Sequence, residues 1–327
     1  MDFGLTEDQR EIKNVARELL TARSPWPTVR AAAEAASYDA ALWREIVELG
    51  WPGIAVAEEH GGQGLGAVEL AVLSEELGYA CAATPFLSTA VTAAVIQATG
   101  SEAQRERWLP GLVSGELSAG LGTMDLVADG EGADVVVVLE DGQARLIAGP
   151  QAQAVVMIDP TRRFARVSGD TEPLGAGAAA RVYAALAAEV VGVCQRALEM
   201  TLEFVKDRKQ FGVPVGSFQA VAHRCAQMLL LTESARSTAY FAAWAADADP
   251  DRLGEAAALA AAAASRGGRE VTASAIQAHG GIGFTWEADV HWLYKRAQLD
   301  AAMLGGTARH HATLARAAAA RTALAAH

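Results

Sequence analysis

The spacing of apolar residues changes twice along this chain, and those two changes fix which architectures are open to it. From about Leu5 to Thr99 the apolar residues recur at helical spacing, as in Ile12, Val15, Ala16, Leu19 and Leu20, and again in Leu70, Val72, Leu73, Leu77 and Tyr79. Between about Leu117 and Gly175 the segments ADVVVVLED, ARLIAG, AVVMID and ARVSGD are short β-branched runs bounded by Gly, Asp or Pro, the pattern of strands joined by tight turns. After Gly177 the helical period returns in RVYAALAAEVVGVCQRALEMTLEFVKDR and continues to the C-terminus, with breaks near Gly212 to Ser217, Asp247 to Pro250 and Gly280 to Gly283. The order predicts an α+β chain, mainly α: an N-terminal helical domain (1–116), a small middle β domain (117–177) and a C-terminal helical domain (178–327). Thr6 followed by Glu7, Asp8 and Gln9 predicts a helix start with an acidic first turn.

Composition narrows the function classes. Of 327 residues 51% are hydrophobic, which excludes intrinsic disorder, and no run of about 18 apolar residues is free of charge, so no membrane span is expected. The 27 Lys+Arg against 39 Asp+Glu give a net charge of −12, the wrong sign for a nucleic-acid partner. The acidic, amphipathic N-terminus does not read as a secretory signal, so the chain is expected in the cytoplasm. Cys81, Cys194 and Cys225 are odd in number and lack metal-ligand spacing; they read as buried small apolar residues.

Four strings carry chemistry. WPGIAVAEEHGGQGLG with the following SEELGY, then DRKQFGVPVGSFQAVAHRCA, then IQAHGGIGFTWEADVHWLYKRAQ, and finally LGGTARHH occur in that order. Together the chain resembles the acyl-CoA dehydrogenase family of flavoproteins. The resemblance implies an N-terminal helical domain, a middle β domain and a C-terminal four-helix bundle. It also implies FAD as cofactor and α,β-dehydrogenation of an acyl-CoA thioester, in which a carboxylate takes the α proton and the β hydrogen leaves as hydride to the flavin. In the family, the Arg and Phe of the second string reach the ADP part of a FAD bound mainly to a neighbouring subunit; here they are Arg208 and Phe211. A planar guanidinium suits a pyrophosphate through paired charge-assisted hydrogen bonds. Gln219, Gln277, Gly280 and Gly281 occupy the other nucleotide-contacting positions, and Thr307 and Arg309 those of the last string. His279 sits at a position that varies in the family and reads as a core or surface histidine.

The chain also departs from the family. The usual position of the catalytic glutamate is Gly305, and the alternative position early in the long helix is Val182; neither side chain can take a proton. Glu189 lies two turns further on, roughly 10 Å along a helix, and is a weak candidate for a relocated base. The middle domain lacks the strings that face the flavin ring, apart from Thr123, and has no tryptophan between Trp108 and Trp244. Retained contacts to a neighbour's FAD without a base resemble the short chain of actinobacterial heteromeric dehydrogenases, which pair with a longer dehydrogenase chain as α2β2 and act on CoA thioesters of steroid side chains or ring remnants. Two other readings stay open: a self-sufficient homo-oligomer using Glu189, Asp125 or Asp129, and a non-catalytic assembly protein on the same fold.

Overall fold

The computed structural model describes residues 4–325. Six helices come first: α1 (Glu7–Arg23), α2 (Trp26–Ala35), α3 (Ala40–Glu48), α4 (Ala67–Ala80), α5 (Phe86–Thr99) and α6 (Glu102–Ser114). Thr6 caps α1 reciprocally with Gln9, as its spacing predicts. The glycine-rich stretch between α3 and α4 forms two short 3-10 turns.

The middle of the chain is a sheet of seven strands: β1 (Ala119–Thr123), β2 (Leu126–Ala128), β3 (Val135–Glu140), β4 (Gln143–Ala148), β5 (Gln151–Val155), β6 (Phe164–Ser168) and β7 (Thr171–Pro173). Their order is β5-β6-β2-β1-β3-β4-β7, with only β1 and β3 parallel among the pairs. The four valines of β3 are buried on both faces, which explains a continuous apolar run in place of an alternating one. One expectation fails here: AVVMID is a strand only through Val155, and Val156 stands fully exposed outside the sheet. The chain leaves the edge because Asp159, three residues on, is drawn into a buried ion-pair cluster, and that tertiary pull outweighs β propensity.

The last third is built from α7 (Ala178–Asp207), a two-stranded turn of β8 (Lys209–Gln210) and β9 (Val213–Pro214), α8 (Gln219–Ala248), α9 (Pro250–His279), α10 (Val290–Met303) and α11 (Thr307–Ala325). The first residues of α7 lie beside Leu253 of α9, and Phe204 near its end stacks on His279, so α7 and α9 run parallel. Buried alanines at 256, 257, 260, 261 and 264 let the bundle pack closely. Helix α4 presses on α7 so tightly that a Cβ on Gly192 would lie 1.8 Å from the Glu75 carbonyl oxygen, which fixes that residue as glycine. Helix α7 is long and apolar enough to cross a membrane by composition, but 83% of its most apolar window is buried inside the fold. The three cysteines are free and buried.

Candidate functional site

The residues singled out by sequence fall into two groups at opposite ends of the bundle. Arg208 ends α7 and Gln277 nearly ends the parallel α9, while Thr307 and Arg309 open α11 beside the start of α7, where His310 meets Tyr183 edge-on at 5.0 Å. Tyr183 and Phe204 mark the two ends on α7, on the order of 30 Å apart along its axis.

At the far end of α7 the polar groups are unengaged. Arg208 is exposed and no carboxylate lies within 4.0 Å of its guanidinium among the described residues. Phe211, at the tip of the β8–β9 turn, is 93% exposed with φ +52, and it touches Phe218 edge-on at 6.2 Å. A bulky residue held at positive φ and in water is doubly unfavourable for an isolated chain. Gly212 follows at φ +82 and completes this turn; it does not stop the helix, which already ends at Asp207. Gln219 is the first residue of α8 and is exposed, as is Gln277. Gly280 has φ +65, and a Cβ on either Gly280 or Gly281 would meet nothing within 4 Å, so the backbone there faces open space. Phe284 and Trp286, 74% and 72% exposed, extend the same segment. Arg208, Phe204 and His279 line one cleft of about 630 Å³ with Arg196, Glu203 and Asp207.

At the near end the turn between α10 and α11 holds Gly305 at φ +79 and Gly306 at φ +72. Val182 is fully buried in the core. Arg309 reaches the β3–β4 turn, where a Cβ on Gly142 would lie 2.8 Å from its Nη2. Together with Tyr183, His310 and Arg316 it lines a cleft of about 590 Å³. His310 is buried, its Nε2 2.6 Å from the Leu304 carbonyl, while Arg309, His311 and Arg316 face solvent. Thr123 ends β1 in the tight turn to β2.

Between the two ends lies a feature the sequence reading missed. Arg162 and Arg296 are buried against Asp159, Glu189 and Asp300. Arg162 gives Nη2 to Asp300 Oδ1 at 2.6 Å and Nη1 to Glu189 Oε2 at 3.2 Å. Arg296 gives Nη2 to Thr161 Oγ1 at 2.6 Å and to the Ala82 carbonyl at 3.1 Å, and Nη1 to Glu189 Oε1 at 3.4 Å. The cluster ties the sheet's connecting loop to α7, α10 and the N-terminal helices. Three carboxylates face two guanidiniums, and Asp300 Oδ2 has no hydrogen-bond partner among the described residues. Burial, opposed by Arg162 and reinforced by Glu189, pushes the Asp300 carboxyl up to about 8. The signals were available: Arg296 and Asp300 are four apart on one helix face, and DPTRR packs an acid and arginines into one short loop.

This geometry counts against Glu189 as a relocated base. It is 2% exposed, both its oxygens are held by arginines, and it lines neither of the two clefts. Asp129 is likewise enclosed, accepting from Tyr38 Oη at 2.5 Å and Ser88 Oγ at 2.6 Å, and burial raises its pKa. Asp125 is exposed and pairs with Arg166 at 3.0 Å on the sheet surface.

The comparisons with known proteins agree with the fold. Residues 6–116 match the acyl-CoA dehydrogenase N-terminal domain, and residues 180–319 the acyl-CoA dehydrogenase C-terminal domain. The chain is 37% identical to acyl-CoA dehydrogenase IpdE2 of Mycobacterium tuberculosis over 305 residues, covering 91% of this chain and 93% of that one. It is 33% identical to acyl-CoA dehydrogenase FadE34 of the same organism, covering 91% of this chain but 46% of the relative. Among solved structures, the Tcur3481-Tcur3483 steroid ACAD superposes with a TM-score of 0.85 at 28% identity, covering 97% and 99% of the two chains. The ChsE4-ChsE5 complex from Mycobacterium tuberculosis superposes at 0.86 with 24% identity, covering 98% and 99%, and shows the shared fold. The chain belongs to the acyl-CoA dehydrogenase family.

Proposed function

We propose that this chain is the smaller subunit of a heteromeric, FAD-dependent acyl-CoA dehydrogenase, completing the cofactor site of a longer partner chain that carries the catalytic base. The observation that carries the reading is the contrast between an exposed, unpaired Arg208 with Phe211 held in water at positive φ, and base positions filled by Gly305 and Val182. A solvent-facing aromatic in a strained conformation is accounted for when a second chain and its bound nucleotide cover it.

The residues at the far end of α7 fit the nucleotide half of FAD. Arg208 offers a fork of donors for the pyrophosphate, Gln277 and Gln219 offer amides, and the open backbone at Gly280 and Gly281 admits a close approach. Phe211 supplies an apolar cover for the adenine side. FAD held by these residues would supply the hydride acceptor for the β carbon of the thioester. This chain's part is to hold, orient and shield the nucleotide; the α proton goes to a carboxylate of the partner, because neither position here offers one. Thr307 and Arg309, also expected to touch the cofactor, lie at the other end of α7, apart from these residues.

The domain division at 116/117 and 177/178, the cytoplasmic setting and a CoA thioester of a steroid side chain or ring remnant as substrate belong to the same proposal. The resemblance to the Tcur3481-Tcur3483 steroid ACAD and to IpdE2 supports it. FadE34 adds a further point: the match covers 46% of it, leaving room in one polypeptide for a second unit of similar size. Co-expression with longer acyl-CoA dehydrogenase chains of the same genome, followed by purification through a tag on this chain, tests the reading. The expected result is a yellow complex containing both chains, with colourless protein when this chain is made alone.

A further inference from the structure

We infer that His279 is a positioning residue for the shared cofactor, locking the arginine-bearing end of α7 to the glutamine-bearing end of α9. The inference rests on the shared-flavin reading above. Arg208 and Gln277 both point their polar groups into solvent, and no hydrogen bond of either side chain to the described residues fixes the distance between them. A pair of stacked rings joins their helices at that end. Phe204, one turn before Arg208, accepts the Arg208 backbone N–H at 2.9 Å and lays its ring on the His279 imidazole, centroids 4.4 Å apart and planes 24° apart.

The imidazole is itself held on the other helix. Its Nδ1 donates to the Ala275 carbonyl at 2.7 Å, one turn back along α9. Directly after it, the Gly280 N–H caps the helix on the Gln277 carbonyl, and the following turn packs on it, since a Cβ on Gly283 would lie 3.0 Å from the His279 Cβ. Burial lowers the imidazole pKa below its ordinary value, so the ring is neutral at pH 7 and its Nδ1–H stays committed to the backbone. Arg208, Phe204 and His279 share the wall of one cleft, so a shift of the stack moves the guanidinium relative to Gln277 and the open glycines. A ligand gripped from two helix ends binds tightly when their spacing is set in advance.

The test is the dissociation constant for FAD of the assembled complex, with the melting temperature of this chain measured without flavin. His279→Ala, which removes the stack, is expected to weaken FAD binding about three- to tenfold, the range of an aromatic pair. His279→Phe, which keeps a flat ring on Phe204, is expected to stay within about twofold of the unaltered protein. Should His279→Ala fail to assemble, Phe204→Leu, with His279 intact, is expected to show the same weakening. A lower melting temperature in His279→Ala with an unchanged FAD constant would overturn the inference, as would equal losses in His279→Phe and His279→Ala. Arg208→Ala separates the two levels of the argument. If it weakens FAD binding and His279→Ala does not, the positioning role falls alone; if neither does, the shared-flavin reading falls and takes this inference with it.

Discussion

The two ends of the long parallel helices α7 and α9 have fared differently. At one end Arg208, Gln277 and Phe211 stand exposed, the first two with no side-chain hydrogen bond among the described residues, with Gly280 and Gly281 open beside them. At the other, the two positions where the resemblance places a catalytic carboxylate hold Gly305 in a left-handed turn and Val182 in the core, and Arg309 leans over the sheet's hairpin. On the proposed reading, one end is kept for a partner to dock on, while the other holds no carboxylate at the two positions where the family resemblance places the base. If the proposal holds, the difference teaches that a fold can keep a cofactor contact while giving up the chemistry, so function has to be argued end by end and not from the fold as a whole.

The strongest challenge to that contrast comes from the carboxylates between the ends. If Glu189 were a base, Glu189→Gln would abolish turnover in the complex and leave the chain stable. We expect the opposite emphasis: removal of one member of a buried ion-pair cluster costs about 3–5 kcal/mol, read as a large fall in the denaturation midpoint. Asp300 sharpens the same point through pH. Its carboxyl, raised to about 8 in the fold, binds a proton there while the unfolded chain, with an ordinary Asp, has released it. The folded state therefore holds more protons between about pH 4 and pH 8, and this group makes stability fall across that window by up to about 1.4 kcal/mol per unit, levelling off above it. Asp300→Asn should remove that part of the slope in urea titrations at pH 6, 7 and 8; an unchanged slope would place the proton elsewhere.

The exposed end should respond in binding and not in stability. Arg208→Ala removes a charged hydrogen-bonding group worth about 1.5–3 kcal/mol, so flavin retention by the complex should drop roughly 10- to 100-fold. The melting temperature of the chain alone should hold, since the Arg208 side chain makes no hydrogen bond or ion pair among the described residues. The smallest effect is expected at the near end. Gly305→Glu restores the family's residue type, yet a side chain at φ +79 is strained by about 1–2 kcal/mol. Measured acyl-CoA oxidation by this chain alone should stay at background. Robust turnover would show that the near end is closer to a working site than its turn geometry indicates.

Much of the fold was legible because its signals are local. The capping pair Thr6 and Gln9, the valine run of β3 and the break between α7 and α8 near Gly212 to Ser217 each appear where the sequence pattern puts them. The short strands β1, β2 and β7 were not legible, since AGLGT, LVA and TEP are too short or too glycine-rich to show a period and are strands only because neighbours pair with them. The arginines of the central cluster were harder to read for a related reason: a buried ion pair joins residues such as Arg162 and Asp300 that are far apart in sequence, so the spacing of Arg296 and Asp300 and the DPTRR loop hint at charge pairing without showing that the two segments meet inside. The candidate site divided in the same way. Resemblance supplied Arg208, Phe211 and Gln277, whereas their grouping at one end, and the ring of His279 between their helices, came only with the packing of α7 on α9.

The central claim is that this chain completes a partner's flavin site without housing one of its own. It is tested most directly by the flavin absorbance and mass of the protein purified alone and after co-expression with a longer acyl-CoA dehydrogenase chain. The account predicts colourless protein alone and, with the partner, a yellow complex whose mass fits two copies of each chain and whose flavin content is one per pair. A yellow homo-oligomer from this chain alone would contradict it.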